Sequence, residues 1–238
     1  MEQQESVDGL REREVRWFRR RMWAWSSAHL RDFPWRRTTD PYAIFVAEFL
    51  LQQTDAPRVV PVYEQVVGRY PTLEALADAP LADLTGLLLP LGFHFRAARM
   101  REVAHLLVDG TAGTAGTVPR VQAELLKLPG VGLYMARSIC ANAFGQPTAV
   151  LDTNVARILL RFFAIRPRTA RPRDDVGFWD AAQRAAPRRK VSAWNLTLID
   201  FGAAVCTARN PRCPQCPLQR RCAYAAALHQ AKQAEITD

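Results

Sequence analysis

Four cysteines, Cys206, Cys213, Cys216 and Cys222, fall within 17 positions near the C-terminal end, at the spacing C-x6-C-x2-C-x5-C. Four thiolates this close in sequence suit a [4Fe–4S] cluster or a zinc ion. Zinc modules typically use two close pairs of ligands; only one close pair, Cys213 and Cys216, occurs here, which favours the cluster. Pro211, Pro214 and Pro217 stiffen the loop, and Arg209, Arg212, Arg220 and Arg221 surround it with positive charge. A second candidate is Leu128-Pro129-Gly130-Val131-Gly132. Two glycines one residue apart allow a tight hairpin with outward amides, and a helix starting near Leu133 adds the positive end of its dipole. Together these can hold one phosphate without reading bases. A third is Asp152, after the apolar run Ala149-Val150-Leu151 and before a helix. It reads as an N-cap; a carboxylate there can also serve a reacting centre.

The elements that must position these groups read as helices nearly throughout, so the fold class is all-α. A first helix spans about Val7–His29 and carries Trp17, Met22, Trp25 and Leu30. Asp40 before Pro41 caps a second, with Ala43, Ile44, Val46, Ala47, Leu50 and Leu51 on it. Others are expected near Val60–Val67, Thr72–Ala77, Leu81–Leu89, Phe95–Leu107, Pro119–Leu126, Leu133–Phe144, Asn154–Phe163, Asp174–Ala186 and Val191–Phe201. The stretches Asp109–Thr117 and Pro167–Asp175 read as loops.

The 238 residues carry a net charge of +9, and only three of the 32 basic residues are lysine. Arginine forks pair with phosphate oxygens, so nucleic acid is the first partner to consider. Charge is concentrated between Arg11 and Arg37 and between Arg209 and Arg221. No apolar run approaches a bilayer span, and the polar start MEQQESVDGL is unlike a signal peptide. No membrane association is expected, and the expected compartment is the cytoplasm, at the nucleoid in a bacterium.

LPGVG, then an aspartate 20 positions beyond Gly132, then the cysteine set, together resemble the endonuclease III superfamily of helix-hairpin-helix DNA glycosylases. The likeness runs from about Phe33 to Tyr224. It implies a two-domain helical fold that binds DNA across the cleft between its domains. Residues 40–148 would form a helical barrel with the hairpin; residues 1–39 and 149–238 would join the N-terminal helix to the cluster loop. It also implies a [4Fe–4S] cofactor and, as partner of a monomer, double-stranded DNA with a mismatched or damaged base. The base is flipped into a pocket, and Asp152 matches the aspartate that stabilises the oxocarbenium-like sugar or activates water.

In lyase members of that superfamily, a lysine two positions after the second hairpin glycine forms a Schiff base. Tyr134 stands there and cannot form an imine, which implies a monofunctional enzyme. Tyrosine at this place resembles the thymine mismatch glycosylases acting on T or U opposite G; MutY-type adenine glycosylases usually have serine. Phe33-Pro34-Trp35-Arg36 and Asp40-Pro41-Tyr42 are similar to both groups, whereas Gln52-Gln53 is closer to the adenine group. Glu48 matches the glutamate that protonates the purine in that group, and implies acid work on, or a hydrogen bond to, the flipped base. Gln52, one helical turn beyond Glu48, is a candidate for filling the gap the base leaves. The sequence ends 16 residues after Cys222, too few for the 8-oxoguanine-reading domain of adenine glycosylases, and Gly92-Phe93-His94-Phe95 departs from their pattern. Both weigh towards a T/U enzyme. Adenine excision opposite 8-oxoguanine or G, and a catalytically silent DNA-binding protein, are the alternatives.

Overall fold

The computed structural model describes residues 10–92, 95–110 and 115–237. Those residues form α-helices and short 3-10 turns, with no strand among them. The chain divides into two compact units, Asp32–Gln146 and Met1–Arg31 with Pro147–Asp238.

The Asp32–Gln146 unit contains α2 (Pro41–Leu50), α3 (Ala56–Arg69), α4 (Leu73–Ala77), α5 (Leu81–Leu88), α6 (Phe95–Val108), α7 (Gln122–Leu125) and α8 (Leu133–Phe144). α2 is its axis. Asp40 caps it by accepting the amides of Tyr42 and Ala43, each at 3.2 Å, and every residue from Tyr42 to Leu50 is buried. A helix apolar all round belongs inside a core; α3, α6 and α8 pack against it. α3 extends beyond both expected ends. Pro57 falls in its first turn, where no backbone N–H is needed, and Pro61 is accommodated inside. The expected Pro119–Leu126 helix is only the single turn α7. The loop reading at 109–117 falls partly on residues 111–114, and Phe93 and His94 also lie outside the described residues.

The other unit is built from α1 (Glu12–Ser26), α9 (Thr153–Phe163), α10 (Val176–Ala185), α11 (Val191–Ala204) and α12 (Ala223–Thr237). Val15, Phe18, Met22 and Trp25 form one buried stripe of α1. Phe18 contacts Phe162 of α9 at 4.9 Å between ring centroids and Trp194 of α11 at 5.6 Å, which makes the centre of this core aromatic. Two arginines fasten the N-terminal segment to the far end of the chain. Arg19 gives its guanidinium to the carbonyls of Arg184, Ala185 and Ala186 at the end of α10, and Arg31 donates to the buried carboxylate of Asp200. The first helix was expected over Val7–His29; positions 7–9 lie outside the described residues, and the described helix spans Glu12–Ser26. α12 was not expected from the sequence: its alanines favour a helix but leave no apolar stripe to mark one.

Candidate active site and iron–sulfur loop

The hairpin is anchored by its apolar residues and exposed at its glycines. Leu128 and Val131 are buried, and the Val131 amide closes the turn on the Leu128 carbonyl at 3.1 Å. Gly130 has φ +79°, and a Cβ there would come within 3.2 Å of the Arg99 side chain, so both backbone conformation and space favour glycine. Gly132 opens α8 with no side-chain cap, leaving the helix's first amides without an intrahelical partner. Pro129 is half-buried between them.

Gln52 lies elsewhere than expected. α2 ends at Leu50, so Gln52 stands in the following turn and not on the helical face of Glu48. Arg96, buried on α6, holds this turn: its guanidinium donates to the carbonyls of Leu50 and Gln52 at 2.8 Å each and to the Thr54 hydroxyl at 3.1 Å. Gln53 takes a left-handed conformation, φ +53°, which carries the chain out of the helix. The Gln52 amide donates to the Gly130 carbonyl at 3.0 Å, tying this turn to the hairpin.

Glu48 is a core group, only 8% exposed. Burial raises its carboxyl to about 7, and the one opposing influence is a hydrogen bond from Ser138 on α8, at 2.6 Å. Tyr134, Ser138 and Asn142 are spaced by four on α8 and therefore share a face. The carboxyl beside Ser138 is half-protonated near neutrality, a state suited to general acid work.

In the other unit Asp152 is the N-cap of α9. One oxygen accepts the Val155 amide at 2.7 Å and the other the Asn154 side-chain amide at 2.8 Å. Burial pushes its carboxyl up, while those two bonds and the Arg157 charge oppose the shift. A hydrogen-bonded line continues from it. Asn154 Oδ1 accepts from Arg157 at 2.6 Å, and Arg157 donates onward to the carbonyls of Gly202 at 2.8 Å and Cys206 at 2.6 Å. One turn on, Arg161 donates to the Thr207 carbonyl at 2.7 Å and lies 3.6 Å from Cys206 Sγ. Sequence reasoning singled out none of Ser138, Asn154, Arg157 or Arg161. The signal for the last three was the placing of polar groups two, five and nine positions after Asp152.

The four cysteines line one pocket with Ile158, Phe162, Phe201 and Leu218, around about 390 Å³ of atom-free space partly open to solvent. Burial is the first cause that raises the thiols of Cys213, Cys216 and Cys222, Cys216 to about 11, and the neighbouring cysteines raise each further. Sulfurs that resist ionising together need a bound cation to hold them as thiolates. All four cysteines line this one pocket, and four sulfur donors around a shared space fit the ligand set of a [4Fe–4S] cluster. The purified protein is expected to be yellow-brown, absorbing near about 400 nm, with about four irons per chain. Stoichiometric zinc without iron in anaerobically prepared protein would contradict this.

The helical fold, the glycine hairpin and the cysteine loop are shared with the DNA N-glycosylases of the iron–sulfur kind. A family model described as HhH-GPD superfamily base excision DNA repair protein matches residues 46–176, and one for the iron-sulfur binding domain of endonuclease III matches residues 206–222. The chain belongs to the HhH-GPD superfamily, and its cofactor is a [4Fe–4S] cluster. It is 38% identical to the thymine-DNA glycosylase of Aeropyrum pernix, over 92% of this chain and 95% of that one. It is 36% identical to the human adenine DNA glycosylase, over 88% of this chain and 39% of the longer relative. The solved structure of a thermostable thymine-DNA glycosylase superposes with a TM-score of 0.84 at 29% identity, covering 90% of this chain and 98% of that one. Among the described residues no helix is long and apolar enough to cross a membrane.

Proposed function

We propose that the chain is a monofunctional glycosylase that hydrolyses the N-glycosidic bond of T or U opposite G in double-stranded DNA, acting as a monomer. The observation that carries this reading is Tyr134, two positions after Gly132 on α8, where a lyase would need an amine. Likeness to a thymine-DNA glycosylase along nearly the whole of both chains supports the choice of base.

In this reading Gly130, Val131 and Gly132, braced by Leu128 and Pro129, give their amides to a backbone phosphate, and Gln52 supports the space the flipped nucleotide vacates. Glu48 donates a proton to the departing base while the C1′–N bond breaks. Asp152, ionised, stabilises the cationic sugar and takes a proton from the water whose oxygen bonds to C1′. Cys206, Cys213, Cys216 and Cys222 ligate the cluster, which serves here to hold the loop. Adenine opposite 8-oxoguanine is the second reading, favoured by Glu48 itself: a buried carboxyl half-protonated near neutrality is what protonating a purine ring would require.

The test of monofunctionality is a G·U duplex incubated with enzyme, then divided. Base release is expected in both halves, with strand scission only after hot alkali and no covalent complex under borohydride. Trapping at the efficiency of a lyase would contradict the role given to Tyr134.

A further inference from the structure

Ser138 has no place in the reaction described so far, yet its hydroxyl hydrogen-bonds the Glu48 carboxyl in the core. It is 3% exposed. Its oxygen also accepts the Asn142 side-chain amide, one turn along α8, at 3.1 Å. A hydroxyl has a single proton. With an amide N–H directed at the oxygen, that proton points to Glu48 Oε1, 2.6 Å away. Oε1 is then committed as an acceptor, so the carboxyl's own proton resides on Oε2.

We propose that Ser138 is a positioning residue for Glu48: its hydroxyl, oriented by Asn142, confines the acidic proton to Oε2 and holds that oxygen in one direction. The proposal rests on the reading of Glu48 as the acid. Without the hydroxyl the buried carboxylate loses the donor that stabilises its charge, so it holds its proton to higher pH, and the proton can occupy either oxygen. The other ionisable side chains on the elements packed against α2 are Arg36 on the 3-10 turn Pro34–Arg36, Arg58, Tyr63, Glu64 and Arg69 on α3, Arg96, Arg99, Arg101, Glu102 and His105 on α6, and Tyr134, Arg137 and Cys140 on α8. The displacement of Glu48 has burial as its first cause and Ser138 as the opposing one.

The sign follows. Glu48 acts protonated, so base release declines as pH rises through about 7. Ser138→Ala is expected to move that high-pH limb upward by about one unit and to lower the plateau below it by about five- to tenfold. Ser138→Thr, which keeps the hydroxyl, is expected to restore the wild-type limb. The readout is the single-turnover rate against pH, on whichever of G·T, G·U and 8-oxoguanine·A duplexes the wild type processes fastest. If Ser138→Ala does not fold, Ser138→Cys, of similar size but a weaker donor, takes its place. A limb unmoved in the folded variant would overturn the inference. A Glu48→Gln variant that keeps the wild-type rate and limb would instead overturn the reading of Glu48 beneath it.

Discussion

Asp152→Asn is expected to slow single-turnover base release by at least about a hundredfold while DNA affinity stays within about tenfold. A preorganised charge facing a cationic transition state contributes several kcal/mol, and a hundredfold corresponds to about 2.7 kcal/mol. The substitution also has a local structural consequence. Oδ1 of Asp152 accepts the Val155 amide and Oδ2 the Asn154 Nδ2. An asparagine oxygen can keep the cap, but its amide nitrogen would then meet the Asn154 nitrogen, donor against donor. Asn154 cannot simply turn over, because its oxygen is held by Arg157 at 2.6 Å. A modest fall in thermal stability is therefore expected beside the large fall in rate. Near-normal turnover in Asp152→Asn, with unfolding in Asp152→Ala, would reduce Asp152 to a cap.

The second large effect is expected at Gly202. A Cβ there would lie 2.4 Å from Asn154 Cβ and 3.1 Å from Asn154 Cα. Those atoms are fixed to the backbone of α9, so no rotamer change relieves the collision, and α9 and α11 must part. Overpacking of this kind costs about 1–3 kcal/mol. Gly202→Ala is thus expected to lower the melting temperature by several degrees. It also displaces Asn154, which holds Asp152, and the Gly202 carbonyl, which holds Arg157. Base release is expected to fall by about tenfold in protein that still carries its iron. Thermal melting, iron content and single-turnover rates measured on one preparation check this; an unchanged melting temperature would show that the two helices separate freely.

The groups legible in the sequence were those whose chemistry is local. Gly130 and Gly132, the four cysteines and the Asp152 cap announce themselves by neighbours and spacing, and Asp40-Pro41 marked the start of the central helix. What escaped depends on distant partners. Ser138 reads as an ordinary helical serine until Glu48, ninety positions earlier, is placed against it. Gly202 reads as a mildly unfavourable helix residue until Asn154 is brought beside it. The apolar run through Leu51 concealed the end of α2, and the group that satisfies the carbonyls there, Arg96, is forty-four positions from the Gln52 carbonyl it holds. The beginning of α3 escaped for a local reason: Pro57 sits in its first turn, where no N–H is needed.

The central claim, excision of T or U opposite G, is tested most directly by single-turnover base release from G·T, G·U, 8-oxoguanine·A and G·A duplexes. All four must be compared at one salt concentration, because binding to DNA falls steeply with salt. The expected result is faster release of T and U than of adenine, part of the preference coming from the ease with which a G·T or G·U mismatch opens. Release of adenine faster than either pyrimidine would contradict the account and place the chain with the adenine glycosylases, Tyr134 then standing where their serine does.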